Sequence, residues 1–206
     1  MKYYLIRDDI RLDEGPKKRW KFDRFWFGAL DEKGNMVVDV TDNWDLIDPT
    51  VESMEPCTYP INLHRDGVKT DFNFTGDVGN IPILSEKAKK ALAGLPEIDK
   101  PYCHVVLEPV EIDNKNVAGN YYVMIIETQI DCIDEEKSRF CDSTGLDKTG
   151  HPRAFLNLVV DPSKVGDHHI FRLKKSLSSI IVSEEVKRRF EKAGVTGAVF
   201  EPVNID

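Results

Sequence analysis

The stretch "IIVSEEVKRRFEKAGVTGAVFEPV", Ile180 to Val203, decides the fold. It holds an apolar strand end, a helix and a second strand in succession. Ser183 stands where an N-cap belongs, because its side-chain oxygen can accept from an unpaired amide of the first helical turn. Glu184 and Glu185 follow, where negative charge suits the helix dipole. Val186, Phe190 and Ala193 form the apolar face. Gly194 ends the helix, since glycine tolerates the left-handed conformation a C-cap needs. "GVTGAVF" is the next strand, and Pro202 is expected to end it.

The same grammar occurs earlier, in "PILSEKAKKALAGL", Pro82 to Leu95, and "VVLEPV", Val105 to Val110. Ser85 is the matching N-cap. Ala88, Ala91, Leu92 and Leu95 recur at the spacing of one helical face. Glu86 opens this helix, and Lys87, Lys89 and Lys90 lie further along, in the order the dipole favours. Pro109 is expected to stop its strand or place it at an edge. Two copies are too few for a solenoid, so the echo predicts a strand–helix–strand element used twice inside one α+β fold.

Working outward, "MKYYLIRDD" reads as a strand and "RWKFDRFWFGALDEKGNMVVDVTD" as a hairpin turning at "DEKGN". Asp42 to Asp77 is broken by prolines and glycines, as a binding loop or a join between lobes would be. "GNYYVMIIETQIDCID" reads as one long strand, and "EEKSRFCDSTGLDKTGHPR" as a polar loop. "AFLNLVVDPSKVGDHHIFRLKK" reads as two short strands around a turn. The expected fold is therefore α+β, a mixed and mostly antiparallel sheet with few short helices. A β-rich region with an irregular linker is expected over 1–80 and an α+β domain over 81–206, the two packing as one globule.

The chain has 206 residues, 41% hydrophobic and 31% charged, with a net charge of -8. Its apolar runs are too short to span a bilayer. Charges return soon after Met1, without the apolar core of a secretory signal, so a cytoplasmic location is expected. The acidic balance disfavours general nucleic-acid binding and suits a basic partner. Cys57, Cys103, Cys132 and Cys141 form no CxxC pair and read as free thiols, Cys103 and Cys132 in the core. No cofactor or metal is implied.

Each group that invites a chemical reading also has a structural one. Ser85 and Ser183 lack the nucleophile elbow, and capping already explains them. Glu108 and Glu201 are matched by the repeat itself. His168 and His169 belong to a turn, with no metal-binding spacing around them. "KKRWKFDRFWF" interleaves bases and aromatics, which suits either a nucleic-acid surface or a strand with basic side chains over its rings. "ETQIDCIDEE" groups Asp131, Asp134, Glu135 and Glu136 without a lysine or arginine. It is a solvated strand end or a patch for a basic partner.

Three blocks carry a resemblance: "VMIIETQIDCIDEEKSRF", "FLNLVVDPSKVGDHHIFRL" and the closing stretch quoted first. In that order they resemble immunity-protein family 11 of bacterial polymorphic toxin systems, best from Gly119 onward and without a match before about Asn80. The resemblance implies an antitoxin that neutralises a cognate protein toxin by stoichiometric binding, with no catalytic residues to carry over. Asp131, Asp134, Glu135 and Glu136 are the expected interface, with Trp44 as an aromatic anchor. Homo-oligomers stay open. The rival readings are a small hydrolase using His104, His151, His168 or His169 with Glu108 or Glu201, and a nucleic-acid module using Lys17 to Trp26.

Overall fold

A computed structural model of the chain describes residues 1–14, 18, 21–25, 29–30, 36–38, 58–65, 67–75, 81–99, 105–112, 120–140 and 155–205. For 22–25, 29–30, 36–38, 60 and 62–65 it describes the backbone alone. The strands are β1 (Tyr3–Asp8), β2 (Lys21–Phe25), β3 (Ala29–Leu30), β4 (Met36–Val38), β5 (Tyr59–Arg65), β6 (Phe72–Phe74), β7 (Pro82–Ser85), β8 (Val105–Ile112), β9 (Tyr121–Ile126), β10 (Gln129–Ile130), β11 (Arg139–Phe140), β12 (Phe155–Asn157), β13 (Val159–Val160), β14 (Ile170–Leu173), β15 (Ser176–Ser183) and β16 (Ala198–Ile205). The helices are α1 (Glu86–Leu92), α2 (Pro96–Asp99), α3 (Pro162–Val165) and α4 (Glu184–Ala193). One sheet runs β10–β14–β15–β1–β16–β13 and a second runs β2–β5–β8–β9–β7–β6. The fold is α+β with mostly antiparallel pairing. The predicted hairpin forms between β3 and β4, while its first arm, β2, pairs with β5 instead.

The echo is a duplicated unit larger than the sequence predicts. In one copy β7 leads through α1 to β8, and β9 lies between the two strands, antiparallel to both. In the other β15 leads through α4 to β16, and β1 takes the place of β9. Registers match residue for residue. Tyr121 faces Ser85 as Tyr3 faces Ser183, and Pro109 faces Tyr122 as Pro202 faces Tyr4. Glu86 N–H donates to the carbonyl of Asn120, as Glu184 N–H does to that of Lys2. Lys89 stands 3.6 Å above the Tyr122 ring and Lys187 stands 5.6 Å above the Tyr4 ring. The outer neighbours match too. β6 and β14 are antiparallel to β7 and β15, and β5 and β13 are parallel to β8 and β16.

Helices α1 and α4 pack together between the sheets. Ile6, Leu84, Leu92, Met124, Ile170, Val182, Val186 and Phe190 share one core there. Removing Val186 or Phe190 from water contributes about 1.5–3 kcal/mol each. Lys87 Nζ donates to the Gly194 carbonyl at 2.8 Å, and Arg189 donates to the Ala93 carbonyl at 2.5 Å. Each helix thus sends a cation to the other's negative end, where the dipole favours it. A second core on the far side of the first sheet contains Tyr3, Cys132, Ile133, Val160, Phe171, Leu173 and Ile181. Cys132 is fully buried there as expected, and burial pushes its thiol up to about 12. Cys57, Cys103 and Cys141 lie outside the described residues.

Three local expectations are corrected. Pro109 and Pro202 neither end nor edge their strands, which run on to Ile112 and Ile205. A proline fits because the parallel neighbour on the other flank begins only at Val110 in one copy and at Asn204 in the other. The run expected as one strand from Gly119 breaks at Glu127 and Thr128, so β9 and β10 belong to different sheets. The "DPSKVGDHH" turn contains α3, capped by Asp161, whose carboxylate accepts from Ser163 N–H at 3.0 Å.

The two N-cap serines differ in their partners. Ser85 Oγ accepts from Ala88 N–H at 3.3 Å and donates to Asp71 at 2.8 Å. Ser183 sits at the cap position but makes no side-chain cap bond. Its hydroxyl pairs with His169 Nδ1 at 2.8 Å. Asp71 and His169 are equivalent, each accepting at its carbonyl from the N–H of its serine. Asp71 also accepts from Lys87 at 2.7 Å and from the Thr196 N–H and hydroxyl at 2.9 and 2.7 Å. Burial opposes its charge, yet these donors outweigh burial and hold its carboxyl below the ordinary range. A lowered folded value means the stabilisation is present above the unfolded value, about 3.9, and is lost as pH falls through the folded one. Asp71→Ala is expected to cost about 1–3 kcal/mol at neutral pH in urea unfolding, with the difference from the parent shrinking in acid.

Candidate partner-binding face

The acidic turn grows out of β10. Cys132 and Ile133 turn into the second core, which leaves their acidic neighbours at the surface. The turn is tied to the sheet by Asp134 N–H donating to the Val159 carbonyl at 3.0 Å and by Asp161 N–H donating to that of Cys132 at 2.8 Å. Ser138 closes it, its hydroxyl donating to the Val159 carbonyl at 3.2 Å and accepting from Val159 N–H at 3.0 Å.

Asp131, Asp134, Glu135 and Glu136 are therefore brought together, but they are not alike. Asp134 shapes the turn, accepting from the N–H groups of Glu136 and Lys137 at 3.2 and 3.1 Å and pairing with the Lys137 ammonium at 3.3 Å. Desolvation works against its charge, yet these donors hold its carboxyl below the ordinary range. Asp131 and Glu135 bracket Lys175, whose ammonium is 3.6 Å from Asp131 and bonded to Glu135. The bond to Glu135 first, and the Asp131 charge beside it, raise the lysine above its ordinary range. Glu136 is exposed. The sequence window showed acids only, because its cations come from Lys137, just beyond it, and from Lys175 on the β14–β15 turn. Trp44 lies outside the described residues.

The rival sites are arranged otherwise. Glu108 and Glu201 stand on different sheets, and Glu201 is paired with Arg7 at 2.7 Å, both half-exposed. His168 lies at the surface, 4.0 Å from the buried carboxylate of Glu97. The His169 backbone N–H donates to the same carboxylate. The Ser183–His169 contact joins a hydroxyl to an imidazole, the pairing a nucleophilic serine requires. Ser183 is fully buried, however, which closes its oxygen to a substrate. Sequence reading missed this pair, and the one available signal was spacing, since His169 precedes Ser183 by 14 residues as Asp71 precedes Ser85. His104, His151, Lys17, Arg19, Trp20 and Trp26 lie outside the described residues, as do the side chains of His64 and of residues 22–25. Among the described residues no group of three His, Cys, Asp or Glu side chains is placed to hold a metal ion. None of the described helices is long and apolar enough to cross a membrane.

A family model described as immunity protein family (Imm11) matches residues 77–204. A search of curated proteins finds no match to the chain. The matched span begins just before β7 and ends inside β16, so it takes in both helix-bearing elements and the whole acidic turn.

Proposed function

The chain belongs to the immunity protein family Imm11, and from that premise we propose that it neutralises a cognate toxin of a polymorphic toxin system by stoichiometric binding in the bacterial cytoplasm. The family match over most of the chain is the observation that carries this reading. The inhibitor works by occupancy and without catalysis. Asp131, Glu135 and Glu136 supply the charged face, Asp134 holds the turn that presents them, and Trp44 serves as the anchor. A basic toxin suits this face, because complementary charge speeds encounter and rejects wrong partners.

Co-expression with the product of the neighbouring toxin gene tests the reading. A one-to-one complex and restored growth of toxin-producing cells are expected, and the absence of both overturns it. In the complex, Asp131→Lys with Glu135→Lys and Glu136→Lys is expected to slow association about 10-fold or more at low salt, an effect that fades as salt rises. An unchanged association rate moves the interface elsewhere and leaves the inhibitor reading intact.

A further inference from the structure

We infer that the second sheet holds a small neutral hydrogen-bonding guest against Asn73 and Thr75. Phe72 and Phe74 of β6 point into the core shared with the helices, so Asn73 and Thr75 lie on the opposite face of the strand. They are 1% and 2% exposed. Asn73 Nδ2, Asn73 Oδ1 and Thr75 Oγ1 have no hydrogen-bond partner among the described residues. Buried polar side chains are almost always bonded, to protein or to ordered small molecules, because an unpaired group forfeits its hydration for nothing.

The duplication supplies an internal control. Asn73 faces Ile83 across β6 and β7, as Phe171 faces Ile181 across β14 and β15. Thr75 follows Asn73 by two residues as Leu173 follows Phe171, although the β14–β15 register shifts at Leu173. Phe171 and Leu173 are fully buried members of an apolar core. The architecture is thus satisfied by large apolar side chains at both positions. One copy has them, and the other carries a carboxamide and a hydroxyl on the same face, two residues apart. A hydrogen-bonding guest accounts for that exchange.

The surroundings define its chemistry. Across the sheet Asn73 is followed by Ile83 and then Val123, both completely buried. Asn73, Thr75, Ile83 and Val123 carry no charge to offset the desolvation of an ion, which favours a neutral guest. The carboxamide presents a donor and an acceptor side by side, with a hydroxyl one pleat along. Its complement is a neutral molecule with an adjacent acceptor and donor, such as an amide or lactam edge. A pair of ordered waters has the same complementarity and is the smallest member of the class.

A crystal structure of the full chain with ordered solvent, together with urea unfolding of Asn73→Leu and Thr75→Val, tests this. Non-protein density within hydrogen-bond distance of Asn73 and Thr75 is expected, and each variant lowers the unfolding midpoint. Native mass spectrometry of protein purified from cells separates the sources. An added mass that disappears in Asn73→Leu identifies a metabolite, and density without added mass identifies water. Three results overturn the inference: no such density, a side chain of the chain itself bonded to the Asn73 carboxamide, or a raised midpoint in Asn73→Leu. Thr75→Val removes a hydroxyl at nearly constant volume, so a raised midpoint there overturns it equally if Asn73→Leu fails to fold.

Discussion

A chain lacking residues 1–9 is expected to lose cooperative unfolding altogether. β1 is the strand between β15 and β16, in register with one from Tyr3↔Ser183 to Leu5↔Ile181 and with the other from Tyr3↔Val203 to Asp8↔Ala198. Its side chains serve both cores of the first sheet, Ile6 on the helix side and Tyr3 on the far side. Burial of these two contributes about 1.5–3 kcal/mol each. The ladder bonds on both flanks contribute about 0.5–1.5 kcal/mol apiece. Together they match the about 5–15 kcal/mol that holds a domain folded. Without β1, two parallel strands face each other across a missing partner with their polar backbones unpaired. Circular dichroism and urea titration of the truncated chain should show no sigmoidal transition, and a synthetic peptide of residues 1–9 should restore it. A truncated chain that unfolds at the parent's midpoint would falsify this placement of β1. A lost transition would make 1–80 and 81–206 one folding unit.

Gly197→Ala is the second large effect. Gly197 has φ +90°, where side chains are strained, and an added Cβ would lie 2.3 Å from the Phe72 carbonyl oxygen and 2.8 Å from Thr70 Cβ. The nearest of these is main chain and cannot swing aside. Asp9 N–H donates to the Gly197 carbonyl at 2.8 Å, and Asp71 and Phe72 N–H donate to that of Thr196 at 3.1 and 3.0 Å. Relief by moving the Gly197 loop therefore breaks the seam between the two sheets. A loss of about 3 kcal/mol or more is expected. Gly194→Ala is the control. Its φ is +65° but an added Cβ meets nothing within 4 Å, so only the backbone penalty of about 1 kcal/mol is expected. Equal midpoint shifts for the two in urea unfolding would show that the close contact carries no weight.

The parts of this fold legible in the sequence are those written locally. Ser85, Ser183 and Gly194 stand at helix boundaries, and Ala88, Leu92, Val186 and Phe190 show helical spacing, because capping and one-sided burial act within a few residues. The α+β class and the family follow from such segments. Long-range pairing was not legible. "YYLI" near the start and "YYVM" from Tyr121 are equivalent strands, yet nothing local marks the first as the partner of residues at the far end. Pro109 and Pro202 misled because the rule for proline depends on the second neighbour of a strand, which the sequence does not reveal. The acids of the turn were found, but their cations were not, since Lys175 arrives from another hairpin. Asn73 and Thr75 gave no signal at all, because their oddity is visible only beside Phe171 and Leu173.

The substitution of β1 for β9 in the second copy has a consequence for synthesis. On the ribosome β1 emerges long before either of its partners, β15 and β16. The copy built from β5 to β9 can assemble as it appears, whereas Tyr3, Leu5 and Ile6 must wait in solution until β15 and β16 arrive. That closure joins strands far apart in the sequence, so loop entropy is spent late and this step is slow. Through that interval an apolar, aromatic strand without partners is open to other nascent chains, which makes the wait for β15 and β16 a period of exposure to aggregation.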